Sequence, residues 1–176
     1  MKKINIETIS DGDKSSIRTN NRKHRVFLHS DLTLSFNDLK KAKVFLVAVN
    51  DFLTFKLFEL NEIYIELFTH YRRAWFYIDN TQDKNILTET RTIDHSFKLC
   101  FERSIWQNGS HYVFNWIRSI CDSFQSIIRI IESMQIKRGN YAENRIMKAL
   151  SKRIEYILNE IFSYGQPNKT YQENGI

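Results

Sequence analysis

The sequence predicts an all-α fold: an antiparallel bundle of four to five helices behind a basic, partly extended N-terminal arm. Three observations predict it. Between Gly12 and Gly109 the chain has neither glycine nor proline, the two residues that most strongly break regular structure. Of the later glycines, Gly109, Gly139 and Gly165 stand where helical patterns run out, and Pro167 follows Gly165. In the second half of the chain, large apolar residues recur at three and four residues, which is the spacing of one buried stripe.

A chain of 176 residues is of a size for one domain. With 42% hydrophobic and 14% aromatic residues it can fill a core, which excludes a wholly disordered chain. Met1-Lys2-Lys3 is basic but leads into no apolar run, so no secretory signal is expected. The most apolar window, 44–68, is interrupted by Asp51, Lys56, Glu59, Glu62 and Glu66. Those charges are too costly at bilayer depth for a membrane span. Cys100 and Cys121 fall inside helical patterns and no C-x-x-C occurs. They are expected to be reduced and buried in a cytoplasmic protein, with no disulfide and no zinc site.

The elements follow in chain order. Ile4 and Ile6 alternate with polar residues and suggest a short strand. Residues 10–23 are polar and turn-like, and Val26-Phe27-Leu28 marks a second strand. Either a small hairpin or an unstructured arm accounts for this region. Ser35 with Asp38 resembles a capping box. A helical pattern then continues to about Ile78, with an expected break at Asn50-Asp51, because a single helix of that length would span about 65 Å against a domain radius of gyration of about 16 Å. Val44–Val49 is apolar and β-branched enough to form a buried strand instead. Asp79–Asn85 is polar and reads as a loop.

The next helix is expected over 86–107, with Ile86, Ile93, Phe97, Cys100, Phe101 and Ile105 inward. Gly109 closes it, and Ser110 is placed to cap its successor. The helix from His111 to Ile136 carries Val113, Ile117, Ile120, Phe124, Ile127, Ile131 and Met134 as its stripe. Gly139 ends it, and Asn140 with Glu143 opens the last helix, whose stripe is Ile146, Leu150, Ile154, Ile157 and Ile161. The expected organisation is therefore an arm over 1–33, a helical domain over 34–165 and a flexible tail over 166–176.

The net charge of +6 is uneven. Residues 1–30 carry seven Lys/Arg against three acids, and residues 137–153 carry six against one. Arg145, Lys148 and Lys152 are three and four apart and so share a helical face, with Lys137 and Arg138 leading into it. Such a row meets a phosphate backbone well, and it also serves as an ordinary solvated face. Arg22, Lys23 and Arg25 of the arm join it as candidate phosphate contacts. The run His70-Tyr71-Arg72-Arg73-Ala74-Trp75-Phe76-Tyr77 interleaves aromatics with cations, which suits core packing, a protein interface or base stacking. Tyr71, Trp75, Trp106 and Trp116 are the candidate interface residues.

Enzymatic signals are sparse. Glu66 and His70 share a face, but no second Glu-x-x-His completes a metal set. The single glycines make no phosphate loop, and no G-x-S-x-G occurs. Asp122, near Arg118 and Arg129, reads as part of a charge ladder. No cofactor is expected. The predicted architecture resembles that of HEPN domains, small all-α bundles, many of them ribonucleases with an Arg-x4–6-His motif near the start of an inner helix. That spacing occurs as Arg18-x5-His24 and Arg22-x6-His29, both in the arm, where no active-site helix is expected. Arg91-x3-His95 and Arg103-x7-His111 in the bundle miss it. The resemblance covers architecture alone.

The sequence thus points to a non-enzymatic binding or assembly module that contacts nucleic-acid backbone, or to a small subunit of a nucleoprotein complex. The alternatives are an adaptor that oligomerises through aromatic surface and a divergent HEPN-like ribonuclease using Arg103 and His111.

Overall fold

Strand-forming residues lie closer to the helices than the polar look of the first thirty residues suggests. The computed structural model describes residues 17–20, 23–29, 32–74, 78–102, 111–137, 139 and 141–164. The expected strand near residue 4 and the tail from 166 lie outside them. β1 (Ile17–Asn20), β2 (Lys23–His29) and β3 (Leu32–Phe36) form an antiparallel sheet in the order β1-β2-β3. β1 falls inside the segment expected to be turn-like. Its register sets Ile17 across from Val26, and Val26 is across from Leu34 on the other side. These three apolar residues make one facing row. Val26 is fully buried and joins the helical core.

Ser35 lies within β3, so it does not cap the first helix. Asp38 does: its carboxylate accepts from the Lys40 amide at 2.8 Å and its carbonyl from the Ala42 amide at 3.1 Å. The helix it opens, α1 (Leu39–Ala74), runs unbroken for 36 residues, about 54 Å. The expected break at Asn50-Asp51 and the alternative strand at 44–49 are both replaced by helix. The reason lies in the seam. Ala42, Leu46, Val49, Leu53, Lys56, Leu60, Ile63, Leu67, His70 and Ala74 alternate at four and three residues, and all are buried but Leu46, which is half-buried and packs against the core. This 3.5-residue repeat keeps one line of side chains turned toward the core. Asn50 and Asp51 stand beside that line without interrupting it.

Different partners cover successive lengths of α1. Phe45 packs against Phe36 of β3, the rings tilted and 5.3 Å apart between centroids. Tyr64 and Tyr71 further along donate to Asp94 at 2.7 Å and to Asp83 at 2.5 Å. Both acids belong to α2 (Asn80–Phe101). Asp79, expected in a loop, is the N-cap of α2: it accepts from the Gln82 amide at 2.8 Å while Gln82 accepts from the Asp79 amide at 3.4 Å. This reciprocal box starts the helix six residues before the apolar pattern does. Ile86, Ile93, Phe97 and Cys100 are buried as expected, whereas Phe101 is 48% exposed at the helix end, where the chain leaves it through Glu102.

α3 (His111–Lys137) and α4 (Tyr141–Ser163) match the sequence reading closely. Every expected stripe residue of α3 is buried, and so are Leu150, Ile154, Ile157 and Ile161 of α4. Gly139 takes the left-handed conformation at φ 71° with open space around it, the geometry that lets a helix stop there. Gln125 faces Ser151 and Gln135 faces Glu143 across the two helices. As one rises the other falls, so they form a hairpin around Gly139. One apolar core draws on all four helices and β2. The helical class holds, with the three-stranded sheet as an addition to it.

Replacing Asp79 by Ala removes the cap that starts α2. The expected cost is about 1 kcal/mol, read as a lower urea midpoint with unchanged denaturant slope. An unchanged midpoint would show that the first turn of α2 does not depend on the box.

Candidate nucleic-acid interface

The last helix has a regular outward face because its inward face is regular. The stripe at 147, 150, 154, 157 and 161 is buried, so the residues opposite must point to solvent. Arg145, Lys148 and Lys152 are among them and all three are exposed. None makes an ion pair among the described residues. The row extends at both ends, for Tyr141 is 72% exposed and Tyr156 is 64% exposed. Tyr141, Arg145, Lys148, Lys152 and Tyr156 thus form one line about 22 Å long, with cations in the middle and aromatic rings at the ends. Sequence reasoning found the cations and missed the tyrosines. The same three-and-four spacing, carried one step in each direction, reaches both.

Arg153, one position round the helix, is held differently. It donates to Glu66 of α1 at 2.8 Å. Beside it a groove of about 400 Å³ lies between α1 and α4, lined by Glu59, Glu62, Lys152, Arg153, Tyr156 and Ile157. The acids make the Lys152 end of the row less attractive to a polyanion than the end at Arg145 and Lys148.

Below the groove, Lys56 occupies a position of the α1 seam that would ordinarily be apolar. It is buried and pairs with Glu59 at 2.7 Å and with Glu160 of α4. The Phe52 and Phe55 rings flank its ammonium at 5.6 and 5.4 Å. Burial works against its charge, but the hydrogen bonds to Glu160 and Glu59 outweigh that and hold its pKa above the ordinary lysine value. The same bond from Lys56 holds the Glu160 carboxyl below the ordinary range, with Tyr156 as a further partner. One ion pair thereby ties α4 to the middle of α1.

The other candidate residues fall elsewhere. Arg25 is exposed on β2, in register with Arg18 and Ser35. Phe36 of β3 meets Phe45, which meets Tyr164 past the end of α4. The sheet therefore packs at the far end of α4, about 29 Å along its axis from Arg145. The structure groups the three α4 cations and does not bring Arg25 to Arg145. Lys23 is in β2 with its side chain outside the described residues, as are Arg22 and Arg138 entirely.

Tyr71, expected at a surface interface, is buried at 7% exposure. Its ring packs edge-on against Phe68, and burial and then Asp83 push its phenol up to about 12. An aromatic at that position of α1 serves the core because the seam turns it inward. Trp116 is half-buried against the core, and Trp75 and Trp106 lie outside the described residues. His111 begins α3, while Arg103 is outside the description, so the ribonuclease pairing is not assembled from described atoms. His70 is buried with an unpartnered Nδ1, and Glu66 is engaged by Arg153 instead. Among the described residues no cluster of His, Cys, Asp or Glu could hold a metal. Cys100 and Cys121 are buried, and burial pushes their thiol pKa values up, to about 12 for Cys100, the opposite of what a nucleophile needs. No helix in the described residues is long and apolar enough to cross a membrane. Compared with protein-family models, curated proteins and solved structures, the chain matches none.

The Lys56 ion pair gives stability a defined pH response. Glu160 has a lowered folded-state pKa, so its contribution is complete above the ordinary carboxylate range and fades as pH falls through the folded value. Lys56 has a raised one, so its contribution is lost only as pH climbs above the ordinary lysine value. Denaturant midpoints measured from pH 7 down to pH 3 should fall less steeply in Glu160→Gln than in the parent. Parallel curves would show that the pair is not coupled to folding.

Proposed function

We propose that this chain is a non-enzymatic, cytoplasmic module, an antiparallel helical bundle with a basic N-terminal arm, that contacts nucleic-acid backbone through the outer face of α4. It acts alone or as a small subunit of a nucleoprotein complex. The observation that carries this reading is the exposed row Arg145, Lys148 and Lys152, free of ion pairs among the described residues and bracketed by exposed Tyr141 and Tyr156. A row of cations binds a phosphate backbone chiefly by releasing its condensed counterions. Such contacts position the partner without reading its sequence. The two tyrosine faces favour a single strand, whose unpaired bases can stack on them, over a duplex whose bases are already stacked.

Mobility-shift titrations against single- and double-stranded RNA and DNA test this reading. The parent is expected to bind single strands most tightly, and to weaken steeply between low and moderate salt. Reversing Arg145, Lys148 and Lys152 to Glu should abolish binding at moderate salt, and neutralising them should flatten the salt dependence by roughly two to three phosphate contacts. Tyr141→Ala and Tyr156→Ala should each weaken single-strand binding about fivefold or more while sparing duplex binding. No binding by the parent at low salt, or binding indifferent to the charge reversal, would overturn the proposal.

A further inference from the structure

The outward face of α1 carries large apolar side chains among exposed acids such as Asp51 and Glu62, where solvent contact calls for polar residues throughout. Val44 is 63% exposed, Val47 58%, Phe55 59%, Phe58 58% and Ile65 61%. Val44, Phe58 and Ile65 are related by sevens, two positions on from the buried Ala42, Lys56 and Ile63, so they lie on the side away from the core seam. Phe101 at the end of α2 adds to the stripe, its ring 6.1 Å from that of Phe58. The three Phe rings alone leave on the order of 300 Å² uncovered, taking about 200 Å² for a whole aromatic side chain. With Val44, Val47 and Ile65 the stripe extends over about 32 Å of helix. That exceeds scattered apolar exposure and approaches the roughly 800 Å² per partner of an ordinary protein interface.

We infer that this face is the interface of an antiparallel homodimer, in which α1 of one copy lies along α1 of a second copy with the two-fold axis near Phe55. The charges beside the stripe select the occupant and its direction. Lys40, Lys41 and Lys43 are exposed in the first turns, Glu62 in the second half, and Arg72 and Arg73 in the last turn. None of these forms an ion pair among the described residues. A two-fold between Thr54 and Phe55 sets Val44 against Ile65 of the second copy and brings Lys43 within one turn of Glu62, while Glu66 stays with Arg153 of its own chain. A parallel pair would instead set lysine on lysine and glutamate on glutamate, which is repulsive. A surface that complements itself under a two-fold rotation closes at two copies.

Sedimentation of the full chain, purified free of nucleic acid, tests the association. The parent should be a dimer at micromolar concentration. Phe55→Glu combined with Phe58→Glu should raise the dissociation constant at least about a hundredfold, with helicity and denaturation midpoint retained because both rings are more than half exposed. Lys43→Glu and Glu62→Lys should each weaken the dimer, and the two together should restore it. Cysteine substitution reads the direction. Phe55→Cys should cross-link to itself on mild oxidation, and a mixture of Val44→Cys with Ile65→Cys chains should cross-link while neither does so alone. A monomeric parent at every concentration, a dimer that survives the Phe55/Phe58 reversal, or self-cross-linking of Val44→Cys would overturn the inference.

Discussion

The 3.5-residue repeat of α1 is the constraint on which the rest of the structure depends. It turns one line of side chains from Ala42 to Ala74 toward the core, and it does so without a break because no glycine or proline relieves it. β2, β3 and the other three helices each meet some length of α1. The sheet closes its beginning through Phe36 and Phe45. α4 covers its middle through Glu160 and Tyr164, whose ring stacks on Phe52 at 4.2 Å. α2 reaches its last third through Asp94 and Asp83. The ring of Phe124 on α3 lies 5.9 Å from Tyr64.

Placing Lys56 in this seam has an energetic logic. A buried ammonium is tolerated only when carboxylates satisfy it, and Glu59 and Glu160 do so from two helices. The pair contributes less net stability than an apolar residue of the same volume would. What it supplies is register: an α4 displaced by one turn would leave the ammonium with Glu59 alone and Glu160 without its cation. The consequence reaches the surface, because fixing α4 against α1 also fixes which of its residues look outward. The row from Tyr141 to Tyr156 is the face left over once 154, 157 and 161 are inside. The two faces proposed as contacts, on α4 and on α1, are thus both determined by what α1 buries.

Much of this was legible in the sequence, and the failures have physical reasons. α3 and α4 were read nearly to the residue because each has a single apolar stripe and a polar back, with Gly139 between them. α1 was misread because it is apolar on two sides. Val44, Phe55, Phe58 and Ile65 blur the periodicity that Leu53, Leu60 and Leu67 define, and a length argument that fits compact domains then favoured a break. The start of α2 was missed because its first turn is polar: Asp79 and Gln82 earn their helix through caps rather than through burial. The run around Tyr71 suits core, interface or base stacking alike by sequence, and one residue of helix separates the buried Tyr71 from the exposed Arg72 and Arg73. Of the candidate interface, the α4 cations followed from spacing alone. The distance between them and Arg25 is a tertiary fact that spacing does not contain.

Continuity of α1 through Asn50 and Asp51 is the central claim, and amide hydrogen exchange followed residue by residue reads it directly. The account predicts that amides 49–57 exchange as slowly as those of the flanking seam and open with them in a single cooperative step. Fast, independent exchange confined to that stretch would mean two helices joined by a hinge, and both proposed faces would lose the rod that aligns them.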